Sequence, residues 1–275
     1  MSRWFPAICG VALAAALLLG GLPILAVFLQ SSPMEVLSSL GGGAARDALL
    51  LSLGTSALAL MLIVVFGTPA AYLLATRSFR GRELVVGLVE LPLVVPPAVA
   101  GIGLLAAFGP AGLLGGAVSD LGIRLVFETA GVVVALVFVS APFYLRGAQA
   151  AFEAVDPRWV AASRTLGASE ARTFARIFLP ASRGGLITGA ALAWGRALGE
   201  FGATIVFAGS LQGVTQTAPL AILELFGSDF DGALALSVAL IAISGALLVT
   251  IKLMAPRRSA SIAGPFGAGR RDAGR

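Results

Sequence analysis

Two ionisable residues stand inside an otherwise apolar run, Arg196 and Glu200 in Arg196-Ala197-Leu198-Gly199-Glu200-Phe201-Gly202-Ala203-Thr204. Charges at membrane depth are costly; they usually face a bundle interior or a cavity, often as pairs. Four residues apart on a helix, these two share one face about a turn from each other. Their chemistry is electrostatic, and two roles fit it. One is a pair that locks helix packing or a subunit interface; the other is a polar lining that an anion meets on its way through. Gly195, Gly199 and Gly202 allow close helix approach around them. A second irregularity is Leu91-Pro92-Leu93-Val94-Val95-Pro96-Pro97-Ala98-Val99-Ala100-Gly101. Three prolines so close interrupt helical hydrogen bonding. Irregular backbone at membrane depth is tolerated only when buried in protein or beside a watery cavity. Pro96, Pro97 and Gly101 therefore either border a pathway or mark the first turn of a helix at the interface.

Little other chemistry is available. The chain has no His, which removes the commonest transition-metal ligand and general base. Its single Cys, Cys9, excludes an intramolecular disulfide. No GxxxxGK[ST] phosphate loop occurs, so the chain itself is not expected to hydrolyse ATP. No nucleophile, base or metal cluster converges, leaving a membrane-embedded enzyme without a centre and the chain without a cofactor of its own. The net charge of +5 needs no nucleic-acid partner. Basic residues scatter between apolar runs, without the basic-plus-aromatic platform of single-strand binders.

The stretch 150–183 reads as two short helices. Asp156 is a good N-cap, and Pro157 suits the first helical position because its missing N–H would have no partner there. Val155, Trp159, Ala162 and Leu166 fall at helical spacing on one face, with Arg158 and Arg164 elsewhere. Gly167 fits the left-handed residue that ends such a helix. Ser169 can cap a second helix with the apolar stripe Ala171, Phe174, Ile177 and Phe178, and Pro180 biases Leu179 out of the helical region. A loop this long between apolar runs must fold on something outside the lipid. Its design suggests a docking surface for a soluble partner.

The elements that hold these features are membrane spans. With 58% hydrophobic and 12% charged residues, the chain cannot hide its apolar side chains in one soluble core. Spanning takes roughly 20 apolar residues. Charge-free runs of that order occur at Phe5–Pro33, Ala48–Thr76, Leu91–Ser119 and Gly232–Ile251. Thr129–Leu145 is shorter but flanked by Glu128 and Arg146, whose stems can reach the interface. Gly184–Gly209 completes the set if Arg196 and Glu200 are accepted inside it. The expectation is an all-α, polytopic bundle of six helices, at about 6–30, 48–76, 88–112, 129–146, 184–209 and 232–254. They form one domain over 1–255, followed by a disordered cytoplasmic tail, 256–275. Arg77, Arg80, Arg82, the arginines of 150–183 and the tail fall on one side of such a bundle, whereas Arg46 and Arg124 fall on the other. Lys and Arg are retained in cytoplasmic loops, so both termini and the two-helix loop are expected in the cytoplasm. The first apolar run continues far past the 7–15 residues of a cleavable signal and reads as an uncleaved span.

The spacing of Gly167, nine residues, Ile177, one residue and Leu179-Pro180 resembles the EAA loop of ABC importer permeases, which seats in a groove of the ATPase subunit. The Glu-Ala-Ala positions of that pattern hold Ala161-Ala162-Ser163, so the glutamate is absent while the apolar stripe remains. A longer match, RALGEFGATIVFAG at 196–209 with VTQT-x-PL at 214–220, is similar to molybdate permease subunits of bacterial ABC importers. LPLVVPPAVAG and AFEAVDPRWVAASRTLGAS resemble the same group, and the likeness runs from about Leu49 to Ile251. The Gly-Glu-Phe-Gly core is shared with sulfate and thiosulfate permeases, and VTQT-x-PL tilts the choice towards molybdate or tungstate. The resemblance implies a MetI-like permease fold and a second copy of the chain in a homodimer within the bacterial inner membrane. It implies cytoplasmic ABC ATPase subunits carrying ATP-Mg, and an extracytoplasmic oxyanion-binding protein. It also implies alternating access, with ATP and substrate each favouring one conformation. A secondary transporter is the competing class; it needs a charged coupling site, for which Arg196 and Glu200 are the candidates, and often two similar halves, which the sequence does not display.

Overall fold

The computed structural model describes residues 4–254, which form helices joined by turns, with no strand among them. In chain order these are α1 (Trp4–Gln30), α2 (Pro33–Gly41), α3 (Gly43–Thr76), α4 (Arg82–Glu90), α5 (Pro97–Phe108), α6 (Gly115–Asp120), α7 (Thr129–Glu153) and α8 (Pro157–Thr165). They continue as α9 (Glu170–Thr173), α10 (Leu179–Leu198), α11 (Gly202–Phe207), α12 (Ala218–Phe226) and α13 (Phe230–Met254). A 3-10 turn, Leu91–Leu93, follows α4, and a π turn, Phe174–Phe178, joins α9 to α10. The tail expected to be disordered lies outside the described residues.

The bundle is built around α7, which packs against α3 on one side and α10 on the other. Small residues let the backbones close. A Cβ on Gly147 would stand 3.1 Å from the Gly189 Cα, so α7 and α10 touch backbone to backbone. Ala59, Ala148 and Ala193 are fully buried in the same seams. Apolar burial cannot drive association where lipid is as apolar as the core, so close packing and buried hydrogen bonds carry it. Tyr144 shares a 2.6 Å hydrogen bond with Thr68 between α7 and α3; Ser182 Oγ donates to the Ala151 carbonyl at 3.0 Å. The Trp194 indole N–H donates to Ser56 Oγ at 2.9 Å, tying α10 to α3. By contrast, α1 buries no residue.

The helices differ from the expected spans at the third and fifth, and from the expected loop at Pro180. Four described helices are long and apolar enough to cross a membrane: Trp4–Gln30, Gly43–Thr76, Thr129–Glu153 and Phe230–Ile251; a fifth crossing results if one bent pair counts as a span. That pair replaces the single third span expected at 88–112: Arg82–Leu93 and Pro97–Phe108 meet at 115°. The bend sits where Pro96 and Pro97 remove two consecutive amide donors and Pro96 takes an extended conformation, with ψ at 138°. The fifth span, expected unbroken over 184–209, begins earlier, at Leu179, ends at Leu198, and resumes only at Gly202 as the six-residue α11. Finally, Pro180 does not close a helix. Leu179 is helical, at φ −60° and ψ −50°, and Pro180 lies just past the π turn in the first turn of α10, inside a helical run that continues through it.

Candidate functional site

The two-helix loop folds much as its caps dictate. The Asp156 carboxylate accepts the Arg158 backbone N–H at 2.8 Å, capping α8. It also pairs with the Arg158 guanidinium at 2.6 Å. The Arg158 hydrogen bonds hold the Asp156 carboxyl below its usual range, and Asp156 in turn raises Arg158. At the other end of α8, Gly167 takes φ +75°. The Ala168 N–H reaches back to the Ser163 carbonyl at 3.1 Å and Gly167 N–H to Arg164 at 2.9 Å, the paired bonds of a Schellman closure. Ser169 accepts the Arg172 N–H at 3.3 Å, starting α9. The second helix is shorter than its stripe suggested, because after four residues the chain widens into the π turn.

Packing sorts the two apolar stripes differently. Phe174 and Phe178 fold inward onto Tyr72 and Phe152, with ring centroids 4.7 and 5.0 Å from Tyr72, so four aromatic rings seat the loop on the ends of α3 and α7. Ser163 and the buried Thr173 share a 2.9 Å hydrogen bond across the bend. On the first stripe only Val155 is buried. Trp159 and Leu166 are 55% and 87% exposed, and Ala161 and Ala162 are open as well. Between them and the half-buried Ile177 lies a recess of about 600 Å³, lined also by Ser163, Arg172 and Arg176. It is an apolar hollow with a basic rim. Leu179 is half-buried and the exposed Pro180 begins the helix that carries the loop back into the bundle.

The second region lies where α5, beyond the 115° bend, meets α11, beyond the break that follows α10. α5 and α11 pack on each other, and the absence of side chains makes the contact. A Cβ on Gly101 would come within 2.6 Å of the Val206 Cβ, and one on Gly202 within 2.6 Å of the Pro97 Cβ. Pro97 and Gly101 thus touch the element that follows Arg196 and Glu200, so the two irregular segments are neighbours; Pro96 lies at the N-cap of α5 and is exposed. Arg196 lies in the last turn of α10, and its Nη2 lies 2.5 Å from Glu200 Oε2. Glu200 sits in the gap after the helix, with Phe201 at φ −138°. Its other oxygen accepts the Ala203 N–H at 2.7 Å, supplying a partner to the start of α11.

Several contributors escaped the sequence reading. Arg77 and Arg82 counted there only as sidedness markers. Here Arg77 Nη2 contacts both oxygens of Glu170 at 2.7 and 2.8 Å, and Arg82 bonds the Leu74 carbonyl at 2.8 Å and Glu153 at 3.0 Å. The first pair binds the loop to the end of α3, and the Arg82 bonds tie the start of α4 to the ends of α3 and α7. Tyr72 gave no signal inside an apolar run. The VTQT segment proves to be a connector: Thr215 Oγ1 accepts the Leu211 N–H at 2.8 Å, Thr129 Oγ1 donates to the Val214 carbonyl at 2.8 Å, and Ser52 Oγ accepts the Ala218 N–H at 2.7 Å at the start of α12.

Residues 67–259 match the family model described as "Binding-protein-dependent transport system inner membrane component". The chain is 36% identical over 258 residues, 93% of its length and 96% of the relative's, to the molybdenum transport system permease protein ModB of Mycobacterium bovis. It is 42% identical over 180 residues, 65% of its length and 79% of the relative's, to the protein of that name in Escherichia coli. Among solved structures it superposes, at a TM-score of 0.71 and 17% identity, on a chain of a bacterial ABC transporter involved in the import of the acidic polysaccharide alginate, covering 94% of this chain and 100% of that one.

Proposed function

The chain belongs to the family of binding-protein-dependent transport system inner membrane components, and on that premise we propose that it is the membrane-spanning subunit of an ATP-driven importer of molybdate. The observation that carries the substrate is likeness over nearly the whole chain to a relative named as a molybdenum transport permease. The geometry supports the rest. The open recess between Trp159, Ala162, Leu166 and Ile177 is a concave apolar surface on rigidly seated helices, suited to a soluble subunit. That subunit is the ABC ATPase, which carries ATP-Mg. ATP closure pulls on the loop, and the aromatic seat around Tyr72 and the Arg77–Glu170 pair pass the movement to α3, α7 and α10. The chain lacks a phosphate loop of its own, so hydrolysis belongs to the partner. A homodimer in the inner membrane, six crossings per copy, cytoplasmic termini and an extracytoplasmic binding protein complete the proposal. Packed on each other through α5 and α11, the two broken spans form the part of the bundle along which the oxyanion passes.

Sulfate is the rival cargo, because the Gly-Glu-Phe-Gly core at 199–202 is common to molybdate and sulfate permeases and does not separate them. The test is uptake of labelled molybdate by vesicles containing the complete complex, with excess sulfate as competitor. Molybdate uptake retained in excess sulfate supports the assignment; uptake abolished by that excess rejects it.

A further inference from the structure

Glu200 is committed at both oxygens, Oε2 to the Arg196 guanidinium at 2.5 Å and Oε1 to the Ala203 N–H at 2.7 Å. Its side chain is 1% exposed, whereas that of Arg196 is 29% exposed. Arg196 lies on the open face of α10 with Leu192, Gly195 and Gly199, all exposed. A guanidinium at membrane depth does not rest against lipid tails without large cost, so this face borders a cavity or another subunit. A tetrahedral oxyanion asks of Arg what a carboxylate asks, a charged donor fork. An unoccupied Arg196 beside the broken helices would hold a passing oxyanion, and conduction requires binding weak enough to leave.

We propose that Glu200 is a built-in counter-anion: its carboxylate occupies the position on Arg196 that an oxyanion would take, so the break between α10 and α11 does not retain the cargo. This rests on the oxyanion-importer reading above. Glu200 is on this account a positioning residue that acts through Arg196. The charge sets how long an oxyanion dwells, and the bond to Ala203 holds α11 in register with α10.

Glu200→Gln separates the two functions, because the amide oxygen still accepts the Ala203 N–H while the charge on Arg196 is released. The complete complex carrying it is purified, and its thermal midpoint is measured in millimolar molybdate, tungstate or sulfate against chloride at equal ionic strength. Ligands that bind only the folded state raise that midpoint. The oxyanions should stabilise E200Q well beyond the wild type, with dissociation constants about ten-fold tighter. Adding Arg196→Met should remove the response. Turnover of E200Q should fall about ten-fold with KM lowered as well, a split that lost packing alone would not give. An E200Q complex that responds to oxyanions no more than the wild type overturns the proposal. So does one that cannot be recovered folded even with oxyanion present throughout, or a response that survives Arg196→Met. Failure of the importer reading is separate: a wild-type complex that accumulates none of the three anions rejects that reading, whatever E200Q binds.

Discussion

Like Asp156 at the start of α8, Glu200 serves at once as helix-start acceptor and ion-pair partner, but it is buried. Its burial sets the magnitude. Removing one partner of a buried pair strands the other charge at about 3–5 kcal/mol, whereas exposed pairs such as Arg77–Glu170, at 55% and 52% exposure, are worth on the order of 0.2–1 kcal/mol. Arg196→Ala and Glu200→Ala should therefore each reduce the amount of folded complex recovered after extraction, while Glu170→Ala should not. Equal recovery of all three would show that the Arg196–Glu200 pair is solvated. Asp156 behaves differently with pH. Its folded pKa lies below the ordinary value, so its contribution is fully present above the unfolded pKa of about 3.9. That contribution is lost as pH falls through the lower, folded value. Amide exchange at Arg158 and Trp159 should then be protected throughout the neutral and mildly acidic range, and Asp156→Ala should remove the protection at every pH.

At the scale of elements, glycine decides two junctions for opposite reasons. Gly167 has open space around the position of a Cβ but a φ of +75°, so Gly167→Val meets backbone strain of about 1–2 kcal/mol and no clash. Spans should insert normally, and substrate-stimulated ATP hydrolysis and uptake should fall together; wild-type coupling in purified complex would contradict the docking role of the bend. Gly101 and Gly202 are instead crowded, each with a neighbour 2.6 Å from the site of a Cβ. Gly202→Ala should cost about 1–3 kcal/mol by forcing α11 off α5, read as a lowered thermal midpoint of the complex. The loop was legible in the sequence because Asp156, Gly167 and Ser169 act locally, each through hydrogen bonds within a few residues. The helix breaks were less so. The prolines at 92, 96 and 97 announced an interruption, but the 115° bend depends on α5 meeting α11. Nothing near Leu198 except glycine hinted that α10 would stop before Glu200. The inward turn of Phe174 and Phe178 was unreadable for the same reason, since Tyr72 and Phe152 lie far away in sequence. Pro180 misled because the π turn just before it lets the helical run continue through a proline that would ordinarily end it.

For the molecule as a whole, long helices around α7 make a stiff frame, and two outlying regions, the seated loop and the pair of broken spans, are joined through it. α10 runs from the π turn beside the loop to Arg196 beside the break, so a displacement of the loop has a continuous helix along which to reach α11. Sidedness is testable first. Single cysteines introduced at Arg80 and Ser169, with Cys9 replaced, should react with an impermeant thiol reagent only from the cytoplasmic face, and one at Ser119 only from outside. Labelling of Ser169→Cys from outside would invert the bundle and remove the recess from any ATPase. The most direct measurement is transport itself: the chain reconstituted in liposomes with its ABC ATPase and the cognate binding protein, given labelled molybdate and internal or external ATP. ATP on the side bearing the loop should drive molybdate accumulation on that side, lost when either partner is omitted and retained in excess sulfate. Accumulation that proceeds without the ATPase, or an ATP-driven complex that moves sulfate and leaves molybdate behind, would contradict the account.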